Sequence, residues 1–254
     1  MAIRNLYSVW KQAAVQKENG LHRKGTSARD APGRRGHKGP RNDVGVFDIA
    51  DGSETMELNR LTDAILQNIF IEMEASGRHV HVTKAQAERL FGHGLIQERP
   101  LSQPGQWVAK ERVTVRGPKG EFRNVAVLGP ERKEAQVEIS LTDGRVLGLQ
   151  PPVRPSGDVA DSPGAVLIGS KGEVALDQGV IVAQRHIHMT PEDAARFGVQ
   201  DKQRVQLQTY TRRPLIFSDV LVRVSPDYAT RVHLDFDEAN ACGYGAGDLG
   251  RILS

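Results

Sequence analysis

The sequence contains one cysteine, Cys242, among 254 residues. That excludes an intrachain disulfide and fits a reducing compartment. The thiol could still ligate a metal or act as a nucleophile, but a lone cysteine among small residues reads as a packed one. Aromatic residues are few, at 5%, so no stacking platform for bases accompanies the basic residues, and nucleic-acid binding is not expected. No apolar run approaches the ~20 residues that span a bilayer, and no secretory apolar segment is visible. Glycine (26) and proline (13) are plentiful. Together they suit a turn-rich, mainly β chain with short α-helices, long enough to bury a real core.

Charge is unevenly placed. The net charge is +3, yet residues 1–41 hold ten Lys/Arg against Glu18 and Asp30, leaving the remainder negative. Residues 1–50 read as a flexible N-terminal extension. Ile3, Leu6, Tyr7, Trp10 and Ala14 have helical spacing over 3–14, enough for a short amphipathic helix that needs a partner to order. Residues 20–45 lack any apolar period and read as a disordered linker. A second apolar stripe, Leu58, Leu61, Ile65, Ile69 and Met73, predicts a helix over 57–73.

The chemistry of the chain sits in a repeated stretch. Arg78-His79-Val80-His81-Val82-Thr83 returns as Arg185-His186-Ile187-His188-Met189-Thr190, displaced by 107 positions (186 − 79). A histidine–x–histidine among apolar neighbours reads as a strand with both imidazoles on one face, a ready pincer for a metal ion. Thr83 with Gln86 forms a capping box, and Thr190 is followed by Pro191 at the first helical position. Each strand therefore runs into a short helix, 84–91 ending near Gly92 and 191–197 ending at Gly198.

Period-two stretches follow. Residues 113–116 and 122–128 pair as a hairpin, and 137–141 make the next strand. A proline-rich stretch at 150–164 marks a boundary between units 56–150 and 151–254. Strands are expected again at 166–168, 173–176, 181–189, 205–209 and 215–224. The repeat extends further: Val125 to Pro130 matches Val220 to Pro226, and Val137-Glu138-Ile139 falls opposite Val232-His233-Leu234. Each half thus supplies one more candidate ligand, Glu138 or His233. The fold predicted is two similar β-barrel domains made by internal duplication, sharing a site at their junction.

Five imidazoles and one carboxylate exceed the needs of a single tetrahedral ion, so two ions are expected. Zinc suits such a set, with cobalt or manganese as competitors. An open coordination position on each would make the site catalytic. Anionic oxygen substrates also need a fixed cation, and Arg132, on the loop after Gly129-Pro130, is the candidate. Arg78 and Arg185 point to the opposite strand face and are expected to form structural ion pairs.

The paired Arg-His-x-His-x-Thr motifs, Gly129-Pro130-Glu131-Arg132 leading to Gln136-Val137-Glu138-Ile139-Ser140, Pro152 to Asp158, Val222-Arg223-Val224-Ser225-Pro226-Asp227, and His233-Leu234-Asp235 with Glu238 to Ala241 resemble PduL-type phosphate propanoyltransferases. The resemblance covers roughly 57–254. It implies two barrels around a di-zinc site and reversible acyl transfer between coenzyme A and phosphate. Carried over by position, it implies His79, His81 and Glu138 for one ion and His186, His188 and His233 for the other. It assigns Arg132 to phosphate, and Leu128, Ser156 and Asn240 to the coenzyme A pocket. Where the family has arginine this chain has Ala126, which removes one contact to the coenzyme. Dimers and residence in a bacterial microcompartment, with the 3–14 helix docking on shell or core proteins, are implied as well; the cytoplasm is the alternative. Two rival readings use the same residues: a metal-dependent thioester hydrolase and a non-catalytic duplicated-barrel adaptor.

Overall fold

The computed structural model describes residues 60–62, 64–66 and 68–253. The N-terminal extension, with its expected helix and linker, lies outside the described residues. The chain is mainly β, as expected. Its strands are β1 (Ile71–Ser76), β2 (His79–His81), β3 (Gln97–Pro100), β4 (Trp107–Arg116), β5 (Glu121–Gly129), β6 (Gln136–Glu138), β7 (Val153–Arg154) and β8 (Val166–Ile168). They continue as β9 (Glu173–Ala175), β10 (Val180–Ala183), β11 (His186–Met189), β12 (Arg204–Tyr210), β13 (Ile216–Val224), β14 (Arg231–Asp235) and β15 (Leu249–Leu253). Among the described residues that follow β1, the short helices between strands are α1 (Lys84–Phe91), α2 (Leu141–Leu147), α3 (Pro191–Phe197) and α4 (Phe236–Cys242).

Six strands close a barrel in the order β1-β14-β11-β13-β12-β15, and the other nine form a curled sheet ordered β7-β10-β6-β2-β5-β4-β8-β9 with β3 on β4. Met73, Ile187, Met189, Leu207 and Leu234 fill the barrel, while Val80, Leu90, Val127, Val137 and Leu167 fill the curled sheet, all at most 1% exposed. Burial of each such side chain contributes roughly 1.5–3 kcal/mol.

The helix expected over 57–73 does not reach that far. Residues 60–62 and 64–66 are helical, but 71–76 is a strand. Ile71 and Met73 are buried with Glu72 exposed between them, so period two overrides the helical stripe, whose Leu61 and Ile65 remain exposed. The strand expected at 137–141 also stops early, because Ser140 caps α2 through a capping box with Asp143.

The expected boundary at 150/151 does not divide the sheets. Strands β7 to β10 belong to the curled sheet, and β1 crosses into the barrel. The crossing is reciprocal. Strand β1 pairs in parallel with β14, placing Met73 beside Val232 and Glu74 beside His233. Strand β10 pairs in parallel with β6, placing Val180 beside Val137 and Ile181 beside Glu138. Positions 73 and 180 keep the 107-residue displacement of the histidine motifs. Each repeat therefore lends its leading strand to the other repeat's sheet.

Candidate metal and anion site

Both His-x-His strands sit between a parallel and an antiparallel neighbour. On one side His79 stands beside Ala126 and, on the other, beside Glu138. In the barrel His186 stands beside Leu221 and His233. Because residues paired across a sheet share a face, each strand aims two imidazoles and its neighbour's third donor at one place. His79, His81 and Glu138 form one set and His186, His188 and His233 the other, with ligand atoms inside each set within 4.8 Å of one another. All six residues predicted as ligands come together, in two threes.

The surroundings hold them there. Arg78 donates to Asp143 at 2.7 Å and stacks 4.1 Å over Phe122. Its counterpart Arg185 donates to Glu238 at 2.6 Å and lies 5.9 Å from the Phe217 ring. Each arginine thus ties its His-x-His strand to the third residue of the short helix that follows the strand carrying Glu138 or His233, the structural role expected from strand alternation. Nδ1 of His79 meets the Gly77 carbonyl at 2.8 Å and Nδ1 of His186 the Gln184 carbonyl at 2.7 Å. That contact fixes the ring and leaves Nε2 of each for a ligand.

The donor set fits a divalent ion. Nε2 of His79 and His81 lie 3.5 and 3.9 Å from Oε1 of Glu138. These separations exceed a good hydrogen bond of about 2.7–3.2 Å. They approach the ~3.3 Å expected between neighbouring ligands about 2.0–2.1 Å from a tetrahedral ion. Nδ1 of His81 and of His188 are buried without a hydrogen-bond partner, at matching places in the two repeats. Burial, with the charge of neighbouring histidines, keeps the rings neutral, which is the ligating form. It holds His186 down to about 3, His188 to about 2 and His233 to about 4, and His81 well below its usual value. His79 behaves differently. Burial pulls its pKa down, but the nearby Glu138 carboxylate, with the Gly77 carbonyl on Nδ1, outweighs that and raises it. Glu138 resists burial in turn: His79, His81 and the Ser156 hydroxyl hold it far below the carboxylate range.

The two sets face one cleft of about 470 Å³, also lined by Arg132, Arg223, Gln103, Leu128, Ser156 and Tyr228. Arg132 is fixed through its backbone, whose N–H donates to Val82 O at 2.9 Å, and its Nη1 lies 3.5 Å from Ser156 Oγ. Gly129, just ahead of it, has no room for a Cβ, which would stand 2.2 Å from the Trp107 indole. Burial lowers the Arg132 pKa and Arg223 adds to the effect, against Glu138, so two guanidinium groups share the cleft. Ser156 is more than a wall residue, since it donates to Glu138 and accepts from Gln136, both at 2.9 Å. Of the three expected coenzyme contacts, Leu128 and Ser156 line the cleft. Asn240 does not. It lies on the exposed face of α4, whose buried residues Ala239 and Cys242 turn to the barrel. Cys242 is packed in that core and donates to Ala239 O, away from the cleft.

Sequence reasoning missed several wall residues. Arg223 stands in register beside His188, so counting back along its strand would have found it. The Tyr228 ring lies 4.2 Å from His188. Gln103 grips both backbone groups of Ala229 and approaches Nε2 of His233 at 3.4 Å. It comes from a loop with no periodic signal.

Comparison with known proteins gives the chain's relatives. Residues 72–245 match the family model for phosphate propanoyltransferase. A phosphate propanoyltransferase of Clostridioides difficile (strain 630) is 50% identical over 77% of this chain and 97% of its own length. One from Enterococcus faecalis is 56% identical over 74% of this chain and 89% of its own. One from Thermotoga maritima is 53% identical over 70% and 86%.

Proposed function

The chain belongs to the phosphate propanoyltransferase family, and from that premise we propose an acyltransferase that moves a propanoyl or acetyl group between coenzyme A and phosphate at a two-metal centre. The observation that supports it most is the pair of three-donor sets facing one cleft beside a half-buried arginine. His79, His81 and Glu138 would hold one ion and His186, His188 and His233 the other, zinc before cobalt or manganese. Bound there, a divalent ion supplies Lewis acidity toward a carbonyl or phosphate oxygen.

The chain's own groups do the rest. Arg132 grips phosphate with its planar fork, and Arg223 adds fixed positive charge from the opposite wall. A phosphate oxygen attacks the thioester carbonyl carbon. As the carbon–sulfur bond breaks, coenzyme A leaves as the thiolate and acyl phosphate remains. In reverse, the thiolate displaces phosphate from the acyl phosphate. Donors fixed in place before substrate binds favour the tetrahedral transition state because they need no reorganisation. Because phosphate itself attacks the thioester, no covalent acyl-enzyme is needed. Leu128 would face the coenzyme, with Ala126 leaving a smaller wall beside His79. Asn240 would meet the coenzyme only outside the cleft.

Phosphate dependence tests this against the hydrolase reading. Thiol release from propanoyl-CoA should require inorganic phosphate and yield acyl phosphate; equal release without phosphate would favour hydrolysis. The adaptor reading is set aside by the enzyme family. We further propose a dimer located in the microcompartment lumen, reached through residues 3–14, and co-sedimentation of full-length against truncated chain with assembled shells tests that placement.

A further inference from the structure

Four of the five site histidines occur as matched pairs. His79 and His186 each turn Nδ1 to a backbone carbonyl two residues back, and His81 and His188 each bury an unpartnered Nδ1. His233 has no histidine counterpart, because Glu138 takes that place in the other repeat. Its surroundings differ too. Nδ1 of His233 lies 4.0 Å from Oε2 of Glu74, and the two residues stand side by side in the parallel β1–β14 pairing. At the matching place beside Glu138 stands Ile181, fully buried. The exchanged strands therefore bring an apolar residue to the set that has its own carboxylate and a carboxylate to the set that has none.

Glu74 is itself held. Ser102 donates to its Oε2 at 2.6 Å, and Nε of Arg231 lies 3.4 Å from its Oε1. A ligating imidazole usually donates its second N–H to a carboxylate or carbonyl, which fixes the ring and raises its basicity. Resting on the two-metal reading, we propose that Glu74 is a positioning residue for the three-histidine set: its carboxylate, 4.0 Å from Nδ1 of His233, places a negative charge behind that ring and so strengthens this set's hold on a divalent ion. Each set then has one carboxylate against the ion's charge, Glu138 in direct reach and Glu74 behind His233.

The test is chelator competition for zinc, with cobalt absorption spectra as the second readout, on the full chain and on Glu74→Gln. Glutamine keeps the length and can still accept from Ser102 but loses the charge. The expected result is one zinc bound roughly 10–100-fold more weakly in Glu74→Gln and the other unchanged, with a shift in half of the cobalt spectrum. Ser102→Ala guards against a purely structural effect. It removes an anchor of Glu74 without removing its charge, and should leave both affinities within about threefold. Unchanged zinc affinity in Glu74→Gln, or equal weakening at both sites in both variants, overturns the proposal. Failure of the wild type to hold two ions would instead refute the two-metal reading itself.

Discussion

Replacing Arg132 with alanine should cost at least ~3 kcal/mol of transition-state stabilisation, about two orders of magnitude in kcat/KM. The figure follows from what the side chain offers and what its removal leaves intact. A charge-assisted hydrogen bond contributes about 1.5–3 kcal/mol, and the fork presents two to one phosphate. Loss of a single preorganised donor at an oxyanion typically costs ~10²–10³ in rate. The framework should not collapse. The bond to Val82 O uses the backbone of residue 132, and Ser156 keeps its bonds to Gln136 and Glu138. Zinc content and thermal midpoint should therefore match the wild type. Lysine at 132 retains the charge but not the bidentate geometry, so it should fall between wild type and alanine. The assay is conversion of acyl phosphate and coenzyme A to the thioester, followed by thioester absorbance with metal analysis of the same samples. An alanine variant within threefold of wild-type kcat/KM, with its metal intact, would refute the assignment of Arg132 to phosphate.

His81→Ala should remove one ion while the barrel set keeps the other, giving half the wild-type zinc and negligible turnover; elemental analysis showing two ions would contradict the two-set reading. The chelated protein should lose stability as pH falls. The folded pKa values of His186, His188 and His233, about 3, 2 and 4, lie below the unfolded value of ~6.5. The unfolded chain therefore binds more protons between those limits, and stability present above pH ~6.5 is lost below it, by up to ~1.4 kcal/mol per pH unit for each group. Urea midpoints of chelated protein that stay level between pH 7.5 and 5.5 would refute this. Gly129→Ala drives a Cβ to 2.2 Å from the Trp107 ring and should destabilise by about 1–3 kcal/mol, as overpacking does. An unchanged urea midpoint would mean the indole moves aside freely.

The site was legible in the sequence because its signals are local and doubled. A His-x-His pair on a strand, a threonine cap and a closing glycine occupy few residues. Finding the motif twice revealed the repeat, Glu138 aligned with His233 at the smaller displacement of 95 (233 − 138), and the pairing of both with the first histidine of their motif followed. Strand β1 was misread because Leu61, Ile65, Ile69 and Met73 imitate a helical stripe across a turn. Helices α2 and α4 were missed although Ser140 with Asp143 and Asp235 with Glu238 are capping boxes. Each follows its strand with so little intervening chain that the strand signal masked them. Gln103 and Glu74 left no mark, since what they touch lies 126 and 159 positions away (229 − 103; 233 − 74).

Strand exchange, the feature least visible in the sequence, is what holds the two sets against one cleft. Had each repeat formed its own sheet, the sets would face each other across an ordinary domain interface, which tolerates relative motion. Here β1 is hydrogen-bonded into the barrel and β10 into the curled sheet, and each runs into the His-x-His strand of the opposite sheet through two residues. Opening the cleft then requires breaking backbone ladders instead of sliding one surface over another. The spacing of the six donors is thereby fixed before substrate arrives, the condition under which electrostatic stabilisation needs no reorganisation. Exchange also lets the repeats diverge usefully: a residue on a leading strand changes the surroundings of the other repeat's donors. Glu74 and Ile181 differ in that way, and His233 and Glu138 are the donors they stand beside.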